Sequence, residues 1–363
     1  MSRSPIDLSF LSDLLMAPGV TGHEEPVKEV WKAHMSRKGV EVLDRPGGNC
    51  YARVRPAASS KPLRVYLSAH CDEIGFIVTY VTDDGFVYFS PIDDDLIDSS
   101  AIRAKKVRIM HKGKPVTGVI GHTPFHCLPS KPSEKVAWHD LWIDIGASSK
   151  KEALGIVSVG DPISIERGVD VLNERMLVSG ALDDRTGCAV VAEVFLSLLG
   201  KLKNIELIAG IHVQEEVDQR GAQMAAQHWK PDVNICVDVD FALDHPETDI
   251  RGVGKAELGK GPVIVHNACL SKTLTEGVVE VARKNALPIQ QLAWSRPLPA
   301  DPFVMSKVDH GIPTAFVGIP LRYMHTNVET VSVDDLGATV QLLRHVLLWL
   351  DRDAQDLQKK RAF

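Results

Sequence analysis

The sequence predicts an α/β fold, with one α/β domain interrupted by a small all-β unit of barrel type. Three observations carry this. Strand-like and helix-like patterns alternate at both ends of the chain, the pattern of a layered α/β domain. Between about Ile74 and Val171 the texture changes to short strands joined by turn signals. Several apolar strand runs also stop at acids or histidines, and α/β folds put their chemistry at the carboxyl ends of strands.

In chain order, Asp7 to Met16 reads as an amphipathic helix (Leu8, Leu11, Leu14, Leu15) stopped by Pro18-Gly19. Pro26 to Lys38 forms a second, with Val27, Val30, Trp31 and Met35 on one face. Val40 to Leu43 and Cys50 to Val54 read as strands around a Pro46-Gly47-Gly48 turn, and Arg64 to Ala69 is a third strand ending at His70-Cys71-Asp72-Glu73. The all-β unit has strands at Phe76 to Val81, Phe86 to Phe89, Val107 to Met110, Val116 to Ile120, Leu141 to Ile145 and Asp161 to Ile165, with one helical turn at Ser149 to Leu154. Beyond Gly180 come a helix (Asp184 to Leu199), a strand (Glu206 to Val213), a helix (Gly221 to Trp229) and a strand (Val233 to Val239). A helix at Leu270 to Asn285, a strand at Thr314 to Ile319 and a closing helix from Val333 to Asp351 complete the pattern. These patterns divide the chain into residues 1–73, 74–171 and 172–363.

The 363 residues exceed the usual size of a single core, and 44% hydrophobic content is ordinary for a globular protein. A net charge of −6, with no long basic run, argues against nucleic acid or an anionic membrane as partner. The short Lys359-Lys360-Arg361 tail reads as a frayed helix end. The N-terminal stretch has no apolar signal region and no run of about 18 apolar residues occurs anywhere, so a cytoplasmic location is expected. The six cysteines show no C-x-x-C spacing, which predicts reduced, packed thiols and no thiolate zinc site.

Polar residues at the strand ends are His70 and Asp72, Asp183 and Asp184, Glu215 and Glu216, Asp238, and His325. Each has an ordinary reading when taken alone. Glu215-Glu216 suits a solvated loop, His70 a structural histidine, Asp183-Asp184 a helix cap partnered by Arg185, Asp238 a turn, and His325 a loop. His122 and His126 inside the all-β unit read as structural. The joint pattern alters the balance. If the strand ends meet, five carboxylates converge, and each close pair costs about 4 kcal/mol at an effective dielectric near 20. Such a cluster calls for cations. Two histidines with carboxylates and no thiolate suit zinc, cobalt or manganese, and two divalent ions balance the charge while leaving one glutamate free to move protons. Asp72, two residues from His70 on an extended chain, is placed to hold its imidazole.

Five ordered segments resemble the tetrahedral aminopeptidases, a dinuclear metallopeptidase family that includes glutamyl and deblocking aminopeptidases and some members labelled endoglucanase. They are Ala69 to Phe76, Leu141 to Ala147, Ala181 to Gly187, Gln214-Glu215-Glu216 and Pro320 to His325, with Gly259-Lys260-Gly261-Pro262 also similar. The likeness covers nearly the whole chain. It implies a mixed-sheet α/β/α metallopeptidase domain with a PDZ-like dimerisation insertion, and dimers assembling into a hollow dodecamer. It also implies that Asp183 bridges two metals, one completed by His70 and Asp238, the other by Glu216 and His325. Glu215 would be the general base and acid, Asp72 the partner of His70, and the peptide after Asp183 cis. The expected activity is removal of N-terminal residues from short peptides, with a deacylase or amidase on N-acylated substrates as the alternative. A glycosidase reading fits poorly, since adjacent Glu215 and Glu216 do not stand in the opposition that reaction needs. A catalytically silent assembly protein is disfavoured by retention of every ligand type.

Two segments depart from the family pattern. Asp93-Asp94-Asp95 stands where relatives usually have paired glycines, and Pro299-Ala300-Asp301-Pro302 where they often have Gly-Thr-Asp-Ala. The identity of the residue removed therefore does not carry over.

Overall fold

The computed structural model describes residues 6–360 except 46–47, 57–60, 94–95, 128–135, 247, 253, 298–299 and 309. Two helices open the chain, α1 (Leu8–Met16) and α2 (Glu25–Arg37); the Asp7 carboxylate caps α1 by accepting the N–H groups of Ser9 and Phe10. Strands β1 (Val42–Asp44), β2 (Cys50–Val54) and β3 (Leu63–His70) follow. The middle of the chain holds β4 (Phe76–Val81), β5 (Val87–Pro91), β6 (Lys106–His111), β7 (Lys114–Gly121), β8 (Trp142–Asp144), α3 (Lys150–Ile156) and β9 (Pro162–Ile165). After it come β10 (Asp170–Leu172), β11 (Met176–Ser179), α4 (Leu182–Ser197), β12 (Ile205–His212), α5 (Arg220–Trp229) and β13 (Val233–Phe241). The last elements are β14 (Val263–His266), α6 (Lys272–Lys284), β15 (Gln290–Ala293), α7 (Asp301–Met305), β16 (Thr314–Arg322), β17 (Glu329–Ser332) and α8 (Val333–Lys360).

Among the described residues, eleven strands form one mixed sheet in the order β1-β2-β12-β3-β13-β16-β17-β11-β10, with β14 on β16 and β15 on β14. The centre, β12-β3-β13-β16, is parallel, and its strands are buried almost end to end because helices cover both faces. Side chains alternate between the two faces with the period of two that a strand imposes. One face packs Val65, Leu67, Leu207 and Ile235 against α1, α2, α4, α6 and α8. The other packs Tyr66 and Ile208 against α5 and α7. Gly210 on that second face has a steric cause, since a Cβ there would sit 2.0 Å from the buried Tyr66 hydroxyl.

Strands β4-β5-β8-β7-β6-β9 close into an antiparallel barrel with its own core of Phe76, Val78, Phe89, Ile109, Ile143 and Ile163. The expected α/β domain with an all-β barrel insertion is thus the fold observed. Most elements fall within a few residues of expectation. The closing helix runs past Asp351 to Lys360 because Leu350, Ala354 and Leu357 continue its apolar stripe. Strands β10, β11, β14, β15 and β17 and helix α7 were not apparent in the sequence: each is three to five residues long, too short for a period to stand out. Of the expected turn at 46–48, residues 46 and 47 lie outside the described part. All six cysteines are free thiols, four buried and two (Cys127, Cys269) exposed. No described helix is long and apolar enough to cross a membrane.

Candidate active site

The parallel strands bring the expected residues to one end of the sheet. His70 is the last residue of β3 and pairs in register with His212, the last of β12. Beyond β12, Gln214 takes a left-handed backbone (φ 56°) that turns Glu215 and Glu216 inward. The pair is not a solvated loop: the two glutamates are 5% and 8% exposed. Asp238 lies within β13, which continues to Phe241, so it is a strand residue rather than a turn. His325 follows β16 in a loop, with φ 61°.

Asp183 stands at the centre. Its Oδ1 is 3.0 Å from His70 Nε2 and its Oδ2 is 3.3 Å from His325 Nε2. Asp238 Oδ1 lies 3.6 Å from His70 Nε2, and Glu216 Oε2 lies 3.7 Å from His325 Nε2. With Asp72 and Glu215, whose contacts follow, all the residues given a role from the sequence converge. The Asp183–Asp184 peptide is cis, and both residues depart from helical geometry inside α4. Their roles divide. Asp184 Oδ1 accepts the Gly187 N–H at 2.9 Å and so caps the regular part of α4, while its Oδ2 accepts the His70 N–H at 3.3 Å. Arg185 is not the partner of this aspartate pair. It donates to the Leu14 and Ala17 carbonyls and to Glu73.

Asp72 ties three segments together. Its Oδ1 lies 3.4 Å from His70 Nδ1 and accepts the Glu215 N–H at 3.0 Å. Its Oδ2 accepts the Thr21 hydroxyl at 2.8 Å and the Glu216 N–H at 3.2 Å. Glu329 plays a matching part opposite, accepting the His325 N–H at 2.9 Å and the Asp183 N–H at 3.2 Å. Thr21 and Glu329 are site residues that sequence reasoning missed. Thr21 sits in a loop and Glu329 opens a short strand, so neither carries a strand-end signal. Behind Glu215, a buried chain links Tyr66 to His212 (2.7 Å) and His212 to Asp301 (2.5 Å).

Burial dominates the electrostatics. It holds Glu215 and Glu216 well above the usual carboxyl range and pushes Asp238 up to about 6 and Glu329 up to about 8. Burial works against protonated imidazole, yet the carboxylates of Asp238 and Asp183 outweigh it and raise His70 well above its ordinary value. His325 is raised to about 9 by Asp183 and Glu216 against the same penalty. Burial opposes ionisation of Asp183 too, but the two histidines hold its carboxyl below the usual range.

The donor set fits divalent metal. Among the described residues, two overlapping groups place ligand atoms within 4.8 Å of one another: His70, Asp183 and Glu216, and His70, Asp184 and Asp238. Asp184 is already engaged by backbone N–H groups, which leaves Asp238 the freer carboxylate of the second group. Imidazole and carboxylate without thiolate is a ligand set that divalent metals accept. The nearby Cys188 thiol is committed to the His70 carbonyl. The cluster opens into a cleft of about 310 Å³ whose other walls include Leu96, Asp240, Phe241, Phe316 and Met324. Of the departures noted in the sequence, Asp94, Asp95 and Pro299 lie outside the described residues, while Asp93 and Ala300 border this cleft.

A model of the M42 glutamyl aminopeptidase family matches residues 48–342, a span that contains every member of the cluster from His70 to His325. The lysyl aminopeptidase of Pyrococcus furiosus is 30% identical over 347 residues, covering 94% of this chain and 97% of that protein. A TET aminopeptidase from a marine sediment Thaumarchaeota archaeon superposes with a TM-score of 0.87 at 28% identity, over 95% of this chain and 96% of its own. The Pyrococcus horikoshii TET1 peptidase, which can assemble into a tetrahedron or a large octahedral shell, gives 0.82 at 29% identity, over 93% and 98%. With the family match running through every strand end that builds the cluster, the chain belongs to the M42 glutamyl aminopeptidase family and is a peptide hydrolase.

Proposed function

We propose that this protein is a metal-dependent aminopeptidase that removes N-terminal residues from short peptides. The observation that carries the reading is Asp183, whose two carboxylate oxygens face different histidines. On this reading His70, Asp183 and Asp238 hold one divalent ion, and Asp183, Glu216 and His325 a second. Zinc or cobalt suits these ligands best, with manganese next. When bound, the ions supply Lewis-acid polarisation of the scissile carbonyl and an acidified water.

The remaining work falls to side chains. Glu215 takes a proton from the attacking water and returns it to the leaving amine nitrogen. Its burial raises its affinity for that proton while it is carried. Asp72 is a positioning residue: it sets the His70 ring and anchors the backbone of both glutamates. The free α-amine of a peptide would add a donor to the ligand set, which would favour exopeptidase action.

The same reading assigns residues 1–73 and 172–363 to the catalytic domain and 74–171 to dimerisation. Dimers build a dodecamer in the cytoplasm whose lumen admits peptides and excludes folded proteins. The test strips metal by chelation and adds back zinc, cobalt or manganese. Aminoacyl anilides are then assayed beside acetyl-blocked counterparts. Metal-restored hydrolysis of the free-amine substrates is the expected result. Full activity without metal, or hydrolysis of the blocked substrates alone, contradicts the reading.

A further inference from the structure

We propose that the cleft selects peptides whose N-terminal residue has a cationic side chain, and that Asp240 sets this preference. The inference rests on the aminopeptidase reading above and adds the substrate class to it. Asp240 lies two residues beyond Asp238 on β13, and the period of two in a strand turns both carboxylates to the same side. Both border the cleft that contains Glu215 and the two histidines.

The place for this carboxylate is built. On β16, Gly318 pairs in register with Asp238, and a Cβ there would come within 2.7 Å of the Asp240 Cβ. The Phe241 N–H donates to Asp240 Oδ1 at 2.8 Å, and Trp294 Nε1–H donates to Oδ2 at 3.3 Å. Both donors are neutral, so they orient the carboxylate without supplying a counter-charge. Among the described residues lining the cleft there is no lysine or arginine, while the exposed Asp218 adds a further carboxylate.

The apolar part of the wall, Leu96, Phe241, Phe316 and Met324, completes the match. Lysine and arginine bury an aliphatic stem against such a surface while their charged heads seek an acceptor. A glutamate side chain would bring a further negative charge beside Asp240 and Asp218, acids outside the proposed metal ligands, with no lysine or arginine among the described lining residues to receive it.

The test compares kcat/KM of the metal-loaded enzyme for lysyl, arginyl, norleucyl and glutamyl anilides. Norleucine keeps the stem of lysine and deletes its charge, so this pair isolates the electrostatic preference. Lysyl over norleucyl by about tenfold, with glutamyl lowest, is the expected order. In Asp240→Asn the lysyl-to-norleucyl ratio falls by about fivefold or more. Norleucyl or glutamyl turnover equal to lysyl in the wild type overturns the inference while leaving the aminopeptidase reading intact. An unchanged ratio in a folded, active Asp240→Asn protein removes Asp240 from the assignment. Absence of turnover on every anilide defeats the aminopeptidase reading, and this inference with it.

Discussion

The Asp72 carboxylate accepts the N–H of Glu215 at 3.0 Å, across 143 residues of chain, through Oδ1, the oxygen that faces His70 Nδ1. One buried side chain therefore sets the histidine at the end of β3 and the glutamates beyond β12. Replacing Asp72 with alanine removes both constraints. Metal affinity and kcat should each fall by about 10- to 100-fold, the usual effect of losing such an outer partner. Calorimetric metal titration and steady-state kinetics check this, and values within about twofold of wild type would contradict it.

His325 faces only one side of Asp183, so His325→Ala should halve the metal content rather than abolish it. Elemental analysis after dialysis is expected to give about two ions per chain for wild type and about one for the variant. Loss of both ions, or of neither, speaks against two half-sites sharing Asp183.

A pH effect is expected from an acid outside the cluster. Asp335 accepts the N–H groups of Gly259 and Gly261 at 2.7 Å each, yet burial pushes its carboxyl up to about 6. Its folded value exceeds its unfolded one, so the folded state binds more protons between about pH 4 and 6. The stability this contributes is complete below that window and is lost as pH rises through about 6. Asp335→Asn should flatten the dependence by on the order of 2 kcal/mol across the window. Parallel urea-midpoint curves for the two proteins would contradict this.

The packing of Gly210 gives a test of the fold alone. In Gly210→Ala the new Cβ would press on the Tyr66 hydroxyl, which His212 holds at 2.7 Å in a fully buried position. The cost should be about 1–3 kcal/mol in chemical denaturation. Tyr66→Phe should recover part of it, because the hydroxyl is removed while Cζ, 2.8 Å from the new Cβ, remains. An undiminished midpoint in the single variant would refute the steric account.

The residues legible in the sequence were those that end strands. His70 and the Glu215-Glu216 pair interrupt apolar runs abruptly, and parallel α/β sheets gather such interruptions at one end. Asp183-Asp184 was legible from residue types only as a pair, and the family resemblance alone singled out Asp183, because a cap and a cluster-facing acid look identical until the backbone turns between them. Thr21 and Glu329 were not legible. Their contacts to Asp72 and Asp183 span 51 and 146 residues, and a hydroxyl in a loop or an acid opening a four-residue strand gives no local signal. The barrel was visible as a change of texture, while its closure depends on β4 pairing with β9, which no turn signal encodes.

In the proposed mechanism adjacent acids divide the work, Glu216 holding metal and Glu215 moving protons. The kcat of Glu215→Gln, in protein shown by elemental analysis to keep its metal, tests that division most directly. A fall of about 10²- to 10⁴-fold is the expected result for loss of a general base. Turnover near the wild-type rate with metal in place would contradict the mechanism.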